Sequence, residues 1–231
     1  MLSHDLQRSA KMRVAPIGAH RRSIVADDIT LLTTTHLLEA LRDPANQKMW
    51  SVLDGRYRPV LFGVAIKQGL SAEDAADIAQ ESLADVVAGY REGRFDRSRG
   101  RLRTWIMTIG RRRLTDVLRV KYRRGEVGAQ RRGDSAFDAI PADAEIDEAW
   151  QQEEQKELLR EAIDWILADE STAPLSREVF EKVCVRGLEE SVAASECGIS
   201  VDRIYVIKSR MVTRLRERVE ALQEAREISE G

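Results

Sequence analysis

Apolar positions along this chain recur at helical spacing almost throughout. Trp50, Leu53, Tyr57, Leu61 and Val64 predict one helix, with Pro59 expected to kink or break it. "THLLEAL" just before it predicts a shorter one. Gly69 supplies a stop and Ser71 a start, with Asp74 three residues on as a weak capping box. In the helix that follows, Ala75, Ile78, Leu83, Val86, Val87 and Tyr90 share one half. Residues 93–100 read as a loop. The next helix, over 101–122, carries Leu102, Trp105, Ile106, Ile109, Val117 and Leu118 on a broad apolar arc.

The periodicity then stops. Residues 125–148 hold glycines, a proline and many acids but no repeat, which predicts a flexible acidic linker. Helical spacing resumes over 150–167, breaks at Pro174 and restarts over 177–186. A helix–turn–helix pattern follows, with a tight turn at Gly198 and a long helix capped by Ser200. Ile204, Ile207, Met211 and Leu215 form its inner stripe. The predicted fold class is therefore all-α, with two helical domains (31–124 and 149–222) joined by a linker. Residues 1–30 read as a disordered tail and 223–231 as a C-terminal tail.

Composition narrows the class. Of 231 residues, 43% are hydrophobic, 5% aromatic and 33% charged, which suits a helical globular protein rather than a β-sandwich. No apolar run approaches the roughly 18 residues of a membrane span, and the first thirty residues lack a signal-peptide apolar region. Cys184 and Cys197 form no C-x-x-C pair and fit a reducing, cytoplasmic setting as packing residues.

The formal net charge is -2, but the charges are segregated. Residues 91–132 hold 15 basic and 4 acidic side chains, whereas 133–170 hold 2 basic and 13 acidic. A basic block of this kind is the footprint of a polyanion partner.

Three surfaces emerge on helical projection. Glu73, Asp77, Glu81 and Asp85 follow one another at four-residue spacing, with Asp74 beside them and no Lys or Arg in the same helix to relieve them. Each like-charge pair costs a helix roughly 0.2–0.5 kcal/mol, so a basic protein partner is the favoured explanation over a merely solvated face. Reversing Glu81 and Asp85 to Lys is expected to weaken that partner and spare the fold. On the second surface, Arg101, Thr104, Thr108, Arg111, Arg112, Thr115 and Arg119 gather opposite the apolar arc, next to Arg97 and Arg99 of the loop. Guanidinium forks interleaved with hydroxyls suit phosphate contacts. Arg113 projects into the apolar arc, and Asp116 is its expected partner. The third surface is the outer face of the last helix, with Asp202, Tyr205, Val206, Ser209, Arg210 and Thr213, and Arg203 on its flank. The outward N-terminal half of such a helix enters a major groove.

Nothing comparable supports catalysis, a cofactor or a metal. There is no G-x-x-x-x-G-K-[ST] loop and no H-E-x-x-H, and His4, His20 and His36 all precede the predicted core.

The three surfaces, in this order over Thr35 to Leu222, resemble the bacterial sigma factors of the small extracytoplasmic-function (ECF) kind. "AADIAQESL" is similar to the family's core-polymerase-binding helix, with Asp77, Gln80 and Glu81 at its recurring positions. "FDRSRGRLRTWIMTIGRRRLTDVLR" resembles the segment that melts and reads the downstream promoter element, with Trp105, Ile109, Arg111, Asp116 and Arg119 matching. "GISVDRIYVIKSRMVTRLRE" is similar to the domain that reads the upstream element. The wording is most similar to ECF factors from Planctomycetes. Three departures stand out: Arg112 where the family usually has Asn, Val192 for a common Glu, and Cys197 at a usual Leu position.

The resemblance implies a non-enzymatic transcription initiation factor that binds core RNA polymerase and promoter DNA, traps an unstacked base near the loop at 97–100, and opens the duplex. The acidic linker would lie in a basic polymerase channel or shield the arginines of the free protein; the residues leave both open. They also leave open control by an anti-sigma factor, another regulator, phosphorylation or the tail. Two other classes remain: a sigma-like adaptor or decoy that opens no DNA, and a stand-alone helix–turn–helix repressor.

Overall fold

The computed structural model describes residues 43, 46–125 and 141–227. The expected tail over 1–30, the "THLLEAL" helix and most of the expected linker lie outside them. All regular structure among the described residues is helical, and the chain divides into two compact units, 32–158 and 159–224. No helix among these residues is long and apolar enough to cross a membrane.

The first unit begins with α1 (Gln47–Lys67), capped by the Asn46 side chain, which accepts from the Met49 N–H at 3.3 Å. Pro59 lies inside this helix and does not end it. An internal proline costs a helix about 3 kcal/mol. Here Leu53 and Tyr57 on one side of it, and Val60, Leu61, Val64 and Ala65 on the other, are all buried, so a break would expose one set or the other. Gly69 turns the chain at φ 86°, and Ser71 caps α2 (Ala72–Arg91) by accepting from the Asp74 N–H, as the capping pattern predicts. A single 3-10 turn (Arg97–Arg99) interrupts the following loop, and α3 (Leu102–Arg124) closes on Gly125 in the left-handed conformation.

α4 (Asp143–Ala168) starts inside the segment expected to be linker. Its first four turns are part of the first unit, so residues 143–148 of the expected linker are helical there. The reason is apolar burial that lacks enough sequence around it to show a period. Ile146, Ala149 and Trp150 are buried at 1%, 6% and 1% exposure. Gly110 of α3 makes room for this packing: a Cβ there would stand 2.4 Å from Leu61 Cδ2 and 3.8 Å from the Trp150 ring. Polar clasps fasten α4 at its sides, Arg103 to Glu154 at 2.7 Å and Lys67 to Glu153 at 3.0 Å.

The second unit contains the last turns of α4, α5 (Pro174–Val179) with Pro174 in its first turn, a π-helical turn (Phe180–Val185), α6 (Glu190–Cys197) and all but the last three residues of α7 (Val201–Glu227). Proline suits a first turn because the missing N–H has no intrahelical partner there. Ile166, Val179, Phe180, Val183, Ala193, Ala194, Ile204, Ile207 and Met211 make its core, including most of the expected inner stripe of α7. Gly198 joins α6 to α7 at φ 66°, a conformation that costs any residue with a Cβ. Two ion pairs brace the motif: Lys208 to Glu190 at 2.6 Å and Lys182 to Glu196 at 2.9 Å.

Asp169, at the end of α4, accepts from the Ser171 backbone, the Ser171 and Thr172 hydroxyls and the Arg214 guanidinium. Arg214 and Arg218 in turn lie over the Trp165 ring at 5.0 and 4.5 Å. Burial pushes the Asp169 carboxyl up, but these hydrogen bonds outweigh it and hold it near 2 instead of its ordinary 3.8. A depressed carboxyl contributes stability above its unfolded value and loses it as pH falls toward the folded one. Asp169→Asn is therefore expected to cost about 2 kcal/mol at neutral pH. The deficit should shrink between pH 4 and 2, where urea unfolding of both proteins should converge; a constant deficit across that range would refute the assignment.

Candidate nucleic-acid interface

The basic face is built by α3 and the loop before it. Leu102, Ile106, Gly110, Leu114 and Leu118 of α3 are buried, which fixes the helix rotation and turns the opposite side outward. Thr104, Thr108, Arg112 and Arg119 are exposed, and Arg111 and Thr115 half-buried. Thr108, Arg111, Arg112, Thr115 and Arg119 share one shallow depression of about 250 Å³ with Asp116 and Asp143. The Thr108 hydroxyl donates to the Thr104 carbonyl at 2.8 Å, so its proton is committed and its oxygen faces the depression only as an acceptor. Arg101 precedes the helix, and Arg97 and Arg99 lie in the 3-10 turn, all three exposed.

Trp105 is half-buried and serves as the anchor of that loop. Its ring packs on Phe95 at 5.2 Å, and Phe95 in turn meets Tyr90 at 6.3 Å. An added Cβ at Gly89 would come within 3.0 Å of the indole, so α2 approaches α3 closely under this ring.

The arginines differ in what holds them. Arg112 makes no ion pair among the described residues, and Arg119 faces Asp116 at 3.5 Å. Arg111 is clasped by Asp143 at 3.2 Å and Asp147 at 3.8 Å, both from the first turns of α4. The acidic stretch thus does engage the basic face in this structure, through one arginine, with Asp143 itself 75% exposed.

Arg113 corrects two expectations. Its guanidinium does not pair with Asp116. It crosses to α2, where it meets Asp85 at 2.7 Å and Glu81 at 2.5 Å. The Asp85 hydrogen bond, with Glu81 adding to it, raises the guanidinium further above its ordinary value. Lys121 likewise reaches Asp74 at 2.5 Å, and that bond, with one from Ser71, lowers the Asp74 carboxyl. Three of the five ridge carboxylates, Asp74, Glu81 and Asp85, are therefore balanced by α3, a helix too distant in sequence for spacing rules to reach. Glu73, Asp77 and Gln80 are exposed, and neither Glu73 nor Asp77 has an ion-pair partner among the described residues. Reversing Glu81 and Asp85 would set lysines against Arg113 and disturb the α2–α3 contact, so it no longer separates binding from folding. An open groove of about 820 Å³ runs between the two helices over these pairs.

On the second unit, Ser200 caps α7 by accepting from the Arg203 N–H at 3.3 Å. Asp202, Arg203, Tyr205, Val206, Ser209, Arg210 and Thr213 are all exposed, so every residue expected on the outer face is there. The Thr213 hydroxyl donates to the Ser209 carbonyl at 3.1 Å. Cys184 and Cys197 are free thiols; burial pushes Cys184 up to about 11 and raises Cys197 as well, which keeps both protonated. Among the described residues no cluster of His, Cys, Asp or Glu is arranged for a metal ion.

Sequence reasoning missed Asp143 and Asp147 as partners of Arg111, and Arg113 as the partner of the acidic ridge. Only the projection of Arg113 into the apolar arc hinted that it reaches a neighbouring helix.

Comparison with known proteins finds similarity over part of the chain. Residues 53–124 match the family described as Sigma-70 region 2. Over 83 residues the chain is 35% identical to the ECF RNA polymerase sigma factor RpoE of Cereibacter sphaeroides, which is 36% of this chain and 45% of that protein. The chain thus spans less than half the length of this curated relative. No solved structure matches it.

Proposed function

We propose, from the premise that residues 53–124 are a sigma-70 region 2 domain, that this chain is a cytoplasmic, non-enzymatic ECF sigma factor. It binds core RNA polymerase and directs promoter recognition and opening. The observation that carries this reading is the separation of two faces on one small helical unit. Glu73, Asp77 and Gln80 point out of α2, while Arg112, Thr115 and Arg119 occupy a depression on α3. A stand-alone repressor needs only the second unit and gives no reason for either face.

In this reading the carboxylates of α2 meet a basic arm of polymerase. The α3 guanidiniums hold phosphates of the opened strand, and the loop at 97–100 receives an unstacked base. Extruding that base costs a few kcal/mol, which the phosphate contacts offset. The helix–turn–helix of the second unit reads the upstream element with α7 in the major groove.

Run-off transcription by core polymerase with the purified chain tests this directly. Promoter-dependent transcripts are expected. Polymerase binding without opening would make the chain an adaptor or decoy, and duplex binding without polymerase a repressor. Glu73→Lys with Asp77→Lys is expected to weaken polymerase binding about tenfold or more, since each reversal removes and then inverts a rim contact of about 1 kcal/mol. Fluorescence titration of labelled chain with core polymerase measures it; unchanged affinity would remove α2 from the interface.

A further inference from the structure

The first unit's faces leave one feature of α7 unexplained. Tyr205 is 53% exposed, Val206 50% and Val201 38%, on a helix whose inner stripe is buried at Ile204, Ile207 and Met211. Ile204, Ile207 and Met211 are buried, so Tyr205 and Val206 face away from their own core. Asp202, Tyr205, Val206 and Ser209 stand three or four residues apart and make one contiguous patch over the first turns of the helix. From Glu190 to Arg216 there is no Asn and no Gln. Those are the side chains whose amides grip the N6 and N7 edge of adenine in pairs.

We propose that the helix–turn–helix reads A·T base pairs in its duplex through the thymine 5-methyl group, with Val206 and Tyr205 as the contacting side chains. This rests on the reading of α6 and α7 as a DNA-binding pair. In the major groove the thymine methyl is the apolar group at the base edges, and it is the one feature of an A·T pair that a valine can recognise. Val206 presents two methyls on a stiff β-branched stem, and the Tyr205 ring offers a flat apolar face with a hydroxyl at its tip.

The charges around the patch select duplex DNA over a protein as its occupant. Arg203 and Arg210 are exposed and have no ion-pair partner among the described residues, so two guanidiniums flank the patch ready for phosphates. Asp202 lies within the patch. An apolar protein surface would bury its carboxylate without a donor, whereas the amino group of cytosine or adenine supplies one in the groove.

The test uses the full chain assembled with core polymerase. Binders are selected from a random duplex pool, and each thymine of the enriched upstream motif is then replaced by deoxyuridine, which removes the methyl and keeps base pairing. At one or two positions the affinity is expected to fall about fourfold, the transfer free energy of one buried methyl group. In Val206→Ala or Tyr205→Ala the same replacement should have no further effect, with circular dichroism of both variants unchanged. Wild-type affinity that is insensitive to deoxyuridine at every thymine would overturn this inference while the enriched motif kept the proposed function standing. So would a fourfold loss that persists in both variants. Variants that keep full DNA affinity but lose self-association or a protein partner would make the patch a protein surface instead. Failure of the pool to enrich any motif would remove the DNA-binding reading of this unit, and this inference with it.

Discussion

Replacing Arg112 and Arg119 together by glutamine is expected to lower open-complex formation about a hundredfold or more. Arg112 is exposed with no ion pair among the described residues, and Arg119 has only a loose contact with Asp116, both side chains being more than half exposed. Such a contact is worth at most about 1 kcal/mol, so little is lost in the free protein. A charge-assisted hydrogen bond to a phosphate is worth roughly 1.5–3 kcal/mol, and every 1.4 kcal/mol is tenfold, so two lost contacts exceed a factor of a hundred. Permanganate reactivity of promoter thymines would measure opening, with core-polymerase affinity as the control. On a template already melted the loss should persist if, as proposed, the contacts are to the separated strand. The slope of log affinity against log salt should fall by about 1.4 for two phosphate contacts on single-stranded DNA. Opening at the wild-type rate would show that the α3 face does not grip DNA. Arg111→Gln should have a smaller effect, since its bonds to Asp143 and Asp147 must break before it can serve a phosphate.

The largest stability effect is expected at Trp150. Trp150→Ala should cost about 3–5 kcal/mol, the usual loss for truncating a fully buried tryptophan. The residue is 1% exposed, beside the gap that Gly110 leaves between α1 and α3. Urea unfolding of the full chain, followed by circular dichroism, should show the loss in the transition of the first unit. A loss confined to the second unit's transition would contradict the assignment of the first turns of α4 to residues 32–158. Arg103→Gln, which removes a partly exposed clasp on the same helix, should cost only about 1–2 kcal/mol. Loosening α4 also frees Arg111 from its two carboxylates, so Trp150→Ala should raise the salt-sensitive DNA affinity of the folded fraction even as it lowers stability.

The α2 and α7 faces were legible early because each depends on the rotation of a single helix. Ser71 and Ser200 mark starts, Gly69 and Gly198 mark turns, and buried positions recur every three or four residues, so the outward residues follow by elimination. What could not be read was who faces whom. Arg113 has a carboxylate three residues away in Asp116, and local spacing makes that pair the natural expectation. Its actual partners, Asp85 and Glu81, lie 28 and 32 residues away and are brought to it only by the packing of α2 on α3. Pro59 reads as a kink or a break because its cost is local, while the burial that keeps the helix continuous through it is spread over both halves of α1. Trp150 reads as part of the second domain because it follows an aperiodic acidic stretch and precedes a long helical pattern.

By itself the amino-acid order determined the helical class, the placement of most helices and the residues each presents outward, since these follow from intervals of three and four and from caps a few residues long. Tertiary structure alone decided which charges are already satisfied, that α4 begins at Asp143 and belongs at first to the earlier unit, and that Arg111 is held while Arg112 is not. The physical reason is range. Backbone hydrogen bonds and helical faces are set by near neighbours, but an ion pair or a buried indole is set by whichever distant helix the core brings alongside.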